Sequence, residues 1–122
     1  MSIQFQIEET PGYLVAKFTG TGAAEEIWRQ FELIGERHTS ANTNKLLLDF
    51  TGTFCEVSLP DRYFAGERAE IFARYKLIKL AVVVRPEQLD PQRFGEMVML
   101  NRWVNARVFT TDKDAEEWLL KE

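Results

Sequence analysis

Two stretches of this chain, Leu46-Leu47-Leu48-Asp49-Phe50 and Ile78-Lys79-Leu80-Ala81-Val82-Val83-Val84, are apolar at successive rather than alternate positions. A strand of that composition needs cover on both faces, and parallel sheets jacketed by helices supply it. The segments between them have the matching periodicity. Ala24, Ile27, Trp28, Phe31 and Ile34 recur at three- and four-residue steps opposite Glu25, Glu26, Arg29, Gln30 and Glu36, which predicts an amphipathic helix from Ala23 to about Arg37. A second helix is expected from Leu59 to Tyr75, with Ser58 and Asp61 at capping-box spacing and Pro60 in the first turn. A third begins at Asp90-Pro91 with Phe94, Met97, Val98 and Val104 on its inner face, and a fourth follows Thr111 as N-cap with Ala115, Trp118 and Leu119 inward.

The amino-terminal strands read differently. Ile3, Phe5 and Ile7 alternate with polar residues, Thr10-Pro11-Gly12 turns the chain, and Tyr13 to Phe18 returns as a second strand, so the pair is an antiparallel hairpin. Arg107-Val108-Phe109-Thr110 closes the series as a short strand. The order is ββαβαβαβα: an α/β domain with a mixed, mostly parallel sheet of four to five strands covered by four helices. With 122 residues and 45% hydrophobic content, residues 1–122 form a single domain with ample core material.

Charge and cysteine usage narrow the partners. Fifteen basic residues are dispersed among nineteen acidic ones, a net charge of −4, and phosphate backbones require clustered Lys and Arg, so no nucleic acid is expected. The lone Cys55 forms no internal disulfide, and the amino terminus lacks a basic start and an apolar signal core. The longest apolar run, Leu80 to Val84, is far short of a membrane span, and the cytoplasm is the default location.

Several segments resemble the STAS domain (sulfate transporter and anti-sigma factor antagonist), and more closely its SpoIIAA-like subgroup, which is grouped with SEC14-like lipid-binding folds. They are Leu47-Leu48-Asp49 ending a strand, Asp61-Arg62-Tyr63 with Gly66-Glu67 opening a helix, and Lys79-Leu80-Ala81-Val82-Val83. Phe94-Gly95-Glu96 with Asn101-Arg102, Arg107-Val108-Phe109 and Ala115-Glu116-Glu117-Trp118-Leu119 complete the set, so the resemblance runs along nearly the whole chain. It rests on order and spacing rather than on one motif. The resemblance implies a serine, near the start of the helix after the third strand, whose phosphorylation blocks partner binding. Ser58 stands near that place, nine residues after Asp49, but Val57 precedes it and Leu59-Pro60 follows, so the Asp-Ser-Ser/Thr-Gly phosphorylation sequence is absent. An N-cap hydroxyl is the competing role for Ser58.

No catalytic constellation is legible. His38 is the only histidine, pairs with neither Cys55 nor a serine at a recognisable spacing, and reads as a cation at a helix carboxyl end; no metal or cofactor site is expected. Asp49 with Glu56 or Asp61 would be an acid–base pair in principle, but surface carboxylates are common. Geometry points instead to the carboxyl ends of the parallel strands, where ligands of such sheets gather. That rim holds an expected irregular loop from Thr51 through Gly52, Thr53, Phe54, Cys55, Glu56 and Val57 to Ser58, together with Arg85-Pro86-Glu87 and Thr110-Thr111. Phe54, Cys55 and Val57 either fold back on the core, line a pocket for a hydrophobic ligand, or form a docking patch. Arg62, Arg85 and Arg102 are candidate anion contacts, with solvated ion pairs as the alternative, and Asn101 is expected to face inward and bind backbone near a strand end. Surplus apolar surface on the second and third helices suggests a homodimer. The leading expectation is a non-enzymatic, regulatory protein-interaction module whose partner is unknown; a small-molecule or lipid-binding domain comes second and an enzyme third.

Overall fold

A computed structural model describes residues 3–41, 43–54, 68, 70–88, 100 and 104–121. Five strands form one sheet in the order β1 (Ile3–Thr10), β2 (Tyr13–Thr21), β3 (Lys45–Phe54), β4 (Lys79–Val83), β5 (Ala106–Phe109). The β1–β2 hairpin is antiparallel and the other three pairings are parallel, so the mixed, mainly parallel sheet is as the sequence pattern implied. Gly12 takes φ 96° in the two-residue turn, a conformation that favours glycine. The Val82–Val83 strand lies in the interior of the sheet, between β3 and β5.

Each parallel strand pairs with the next one in sequence, and right-handed crossovers in a series of this kind place their connecting helices on a single face. α1 (Ala24–Trp28), α2 (Phe31–Ser40) and α3 (Glu70–Arg74) accordingly share one side. Ile27, Phe31, Ile34 and Phe72 pack there on Ile3, Leu14, Ala16, Phe18, Leu46, Leu48, Leu80 and Val82. Phe18, fully buried, lies 5.6 Å from Phe5 and 5.0 Å from Phe50, ring centre to ring centre. Burial of one such side chain stabilises the fold by about 1.5–3 kcal/mol. α4 (Asp112–Leu120) follows the last strand, is no crossover, and covers the opposite face. There Ala115 and Leu119 seal Tyr13, Leu47, Ala81 and Val83.

Three expectations need correction. The first helix is not continuous: Gln30 N–H bonds the Ile27 carbonyl three residues back, a tightened turn that ends α1 and restarts the chain as α2, so that Ile27, Phe31 and Ile34 all reach the sheet. α2 also runs on to Ser40, three residues past the expected end. His38, read as a cation at a helix carboxyl end, is 1% exposed. Its Nδ1 lies 3.1 Å from the Thr43 carbonyl, which can only accept, so Nδ1 carries the proton, and the ring sits against Phe72 and Tyr75. The third correction concerns Thr51 to Phe54, which are strand rather than loop. β2 extends to Thr21 and gives them a partner, and the β-branched threonines suit the ladder. Most of the expected third helix, and the second up to residue 67, lie outside the described residues. Arg68 and Leu100 are helical, whereas Val104, expected on the inner face of the third helix, is buried but stands outside any helix, just before β5.

Candidate functional site

β3 outruns its neighbour. Its pairing with β4 ends at Asp49↔Val83, while its pairing with β2 continues to Phe54↔Thr21. Between Asp49 and Gly52 the strand carries one extra residue relative to Lys17 and Thr19, a β-bulge. The Asp49 carboxylate settles that irregularity locally: Oδ1 accepts the Thr51 N–H at 2.9 Å and the Thr51 hydroxyl at 2.7 Å. Gly52 is fixed by space, since a Cβ there would stand 2.9 Å from Thr19 Cγ2 and 3.1 Å from the Phe18 carbonyl oxygen.

Among the described residues this overhang has no strand neighbour on the β4 side, so its carbonyls need other donors. They come from the segment after β4, which closes as a 3-10 turn over Pro86–Gln88. Arg85 Nη1 donates to the Thr51 carbonyl and to the Thr53 carbonyl at 3.0 Å. Gln88 Nε2 reaches the Phe50 carbonyl at 3.2 Å and the Thr53 hydroxyl oxygen at 3.3 Å, while its Oε1 accepts the Arg85 N–H at 2.7 Å. Thr53, itself buried, returns its hydroxyl to the Phe50 carbonyl at 2.7 Å. Arg85 Nε completes its set with Glu87 at 2.9 Å. The Glu87 carboxyl is held below the ordinary range, first by its own backbone N–H and then by Arg85.

The outcome is an aromatic side chain presented on a stiff base. Phe54 is 59% exposed, and the Arg85 guanidinium lies over its ring at 4.5 Å. Thr51, Thr53, Phe54 and Arg85 are therefore gathered at the carboxyl rim. Arg85, a candidate for anions, commits its Nη1 to the Thr51 and Thr53 carbonyls and its Nε to Glu87. Cys55, Glu56, Val57, Ser58, Arg62, Asn101 and Arg102 lie outside the described residues. Gln88 was missed, because its role arises only from the unequal lengths of β3 and β4.

A second feature lies between α2 and α3: an open cavity of about 330 Å³, lined by Trp28, Arg29, Glu32, Arg68, Ile71 and Arg74 among others. None of the rim residues lines it, so it is not the cavity expected beneath Phe54. No cluster of three or more His, Cys, Asp or Glu side chains with metal-binding geometry occurs among the described residues, and no helix among them is long and apolar enough to cross a membrane.

No protein-family model matches the chain, and no curated protein matches it in sequence. Solved structures do. An anti-sigma factor antagonist from Mycobacterium paratuberculosis superposes with TM-score 0.65 at 15% identity, over 98% of this chain and 96% of that one. An uncharacterised DUF3478-family protein with a SpoIIAA-like fold, from Shewanella loihica PV-4, superposes with TM-score 0.56 at 18% identity, over 97% and 94%. The fold is SpoIIAA-like. The STAS resemblance in the sequence thus corresponds to the architecture over essentially the full chain.

Proposed function

We propose that this SpoIIAA-like domain is a non-enzymatic regulatory module that docks a protein partner, in the cytoplasm, through the carboxyl rim of its sheet. The observation that carries the reading is Phe54. A large apolar side chain, more than half exposed, is braced by an arginine whose Nη1 grips the strand beneath it. Aromatic and arginine side chains dominate the energetics of protein interfaces, and pre-ordering them lowers the entropy lost on association. The hydroxyls of Thr51 and Thr53 are both committed to acceptors within the strand, which favours recognition over proton transfer. A shared fold with an anti-sigma factor antagonist is consistent with such a role.

A photo-crosslinking residue at position 54 in the producing cells should capture one protein, and the exposed Leu33 position, as control, should not. The purified partner should bind Phe54→Ala at least roughly tenfold more weakly than wild type. Equal affinity would remove the rim from consideration.

The cavity beside Trp28 favours a second reading, small-molecule binding. Its volume falls at the lower end for ligand sites, and Arg29, Arg68 and Arg74 suit an anionic group beside an apolar one. Native mass spectrometry of protein purified from its host should then show an adduct that is lost in Arg68→Ala/Arg74→Ala; a clean apo mass counts against it.

A further inference from the structure

The hairpin dictates which way each backbone group of β1 points. Its turn has two residues, so Thr10 and Tyr13 are a hydrogen-bonded pair, and the register runs unbroken back to Ile3↔Gly20. Gln4, Gln6, Glu8 and Thr10 therefore direct their N–H and C=O groups at β2. Ile3, Phe5, Ile7 and Glu9 direct theirs off the sheet. The Ile3 N–H shows this directly, being caught by Glu26 Oε1 at 3.2 Å. Among the described residues the outward N–H groups of Phe5, Ile7 and Glu9 meet no acceptor. The edge is eight residues long and lacks the proline, lysine or bulge that ordinarily blunts one, whereas β5 at the other border has four residues.

We infer that β1 pairs antiparallel with β1 of a second copy, joining two sheets across a two-fold axis. Opposed residues in antiparallel strands share a face, so only odd-to-odd pairing both uses the free groups and keeps the apolar face continuous. Of the central registers, Phe5 opposite itself requires the Ile3 N–H that Glu26 holds, and Ile7 opposite itself sets Phe5 against Glu9. The remaining register places Gln6 against Gln6 of the partner subunit, and Phe5 against Ile7 of the partner subunit in both directions. Phe5 and Ile7 then exchange both of their bonds. They are only partly buried in one copy, and the pairing completes their cover. Glu8 faces Gln4 of the partner subunit, so no like charges are opposed. Glu9 falls opposite Ile3 of the partner subunit at the two ends of the ladder, where Glu26 holds the Ile3 N–H and the pair is left open, so these faults lie outside the two central Phe5–Ile7 pairs rather than among them. One strand sequence supplies both sides of the match, which is why a second copy fits the edge better than a foreign strand.

Sedimentation at tens of micromolar should give twice the 14.2 kDa of one chain. Gln6 would lie in a non-hydrogen-bonded pair with Cα atoms about 4.5 Å apart, within disulfide reach. In a Cys55→Ser background, Gln6→Cys should therefore oxidise to a covalent dimer. Gln4→Cys should not, because its symmetry mate lies roughly 13 Å along the ladder. Gln6 is exposed, so Gln6→Lys should keep the circular dichroism of wild type while weakening the dimer roughly tenfold or more by opposing two cations. A mass of one chain at that concentration overturns the inference, and so does a dimer in which Gln6→Cys fails to cross-link.

Discussion

Arg85 stands in for a missing strand. Its guanidinium satisfies carbonyls of Thr51 and Thr53 that β4 is too short to reach, with Gln88 serving the Phe50 carbonyl alongside. Arg85→Met keeps the length of the side chain but strands those acceptors, and should cost about 1–3 kcal/mol in urea unfolding. A double mutant with Gln88→Ala should fall short of additivity, because the two side chains share Thr53. Nothing in the sequence marks Arg85 for this task, since the need for it arises from two strands ending at different heights. His38 is a parallel case: a lone histidine in a last helical turn reads as a cation complementing the end carbonyls until Phe72 and Tyr75 are seen to pack against it. Lys76 offers the opposite kind of test. It ends α3 at φ 60°, where an L side chain is strained. Lys76→Gly should raise stability by about 0.5–1 kcal/mol, the relief of strain outweighing the extra flexibility of the unfolded chain.

At the scale of elements, β1 and α4 are readable because each buries one regular set of positions, and β2 and β4 because their apolar residues run in succession and are covered on both faces. β3 was half readable: Thr51-Gly52-Thr53 carries turn-forming composition, yet β2 extends far enough to hold it as strand. The junction of β1 and α1 was not readable at all. Glu26, in the first turn of α1, accepts the Ala23 N–H at 2.7 Å and the Ile3 N–H at 3.2 Å, capping the helix and tying the first strand to it with one carboxylate. Those two bonds, the Ala23 one foremost, hold its carboxyl below the ordinary value. The unfolded chain therefore takes up the proton first as pH falls. The stabilisation is complete above the ordinary carboxylate range and is lost as pH drops through the folded-state value. The stability difference between wild type and Glu26→Gln should be largest at neutral pH and shrink steadily in acid, as followed by thermal melts. A difference independent of pH would mean that the charge of Glu26 has no part in the tether.

For the molecule as a whole, the order of strands has a consequence for how it opens. Crossovers of one hand put α1, α2 and α3 on one face and leave the other to α4, so the two cores are unequal. α4 is held by Leu119 and Ala115 beneath it, by the Tyr13 hydroxyl donating to Glu116 at 2.9 Å, and by Lys79. The Lys79 ammonium donates to the Trp118 carbonyl at 2.7 Å and lies 5.1 Å from the Trp118 ring centre, a cation placed at the negative end of the helix. A nine-residue helix on a small core of its own is a candidate for opening while the sheet stays intact. Two substitutions separate that from global unfolding. Leu119→Ala should cost about 2–4 kcal/mol and speed hydrogen exchange at residues 115–120 in proportion, because the lost contact is one that α4 breaks on opening. Phe72→Leu, on the far face, should cost roughly 1 kcal/mol and speed exchange in β2 to β4 while leaving α4 unchanged, because its contacts survive when α4 lifts. If Phe72→Leu accelerates α4 and the sheet equally, α4 opens only with the rest, and the two faces form one cooperative unit.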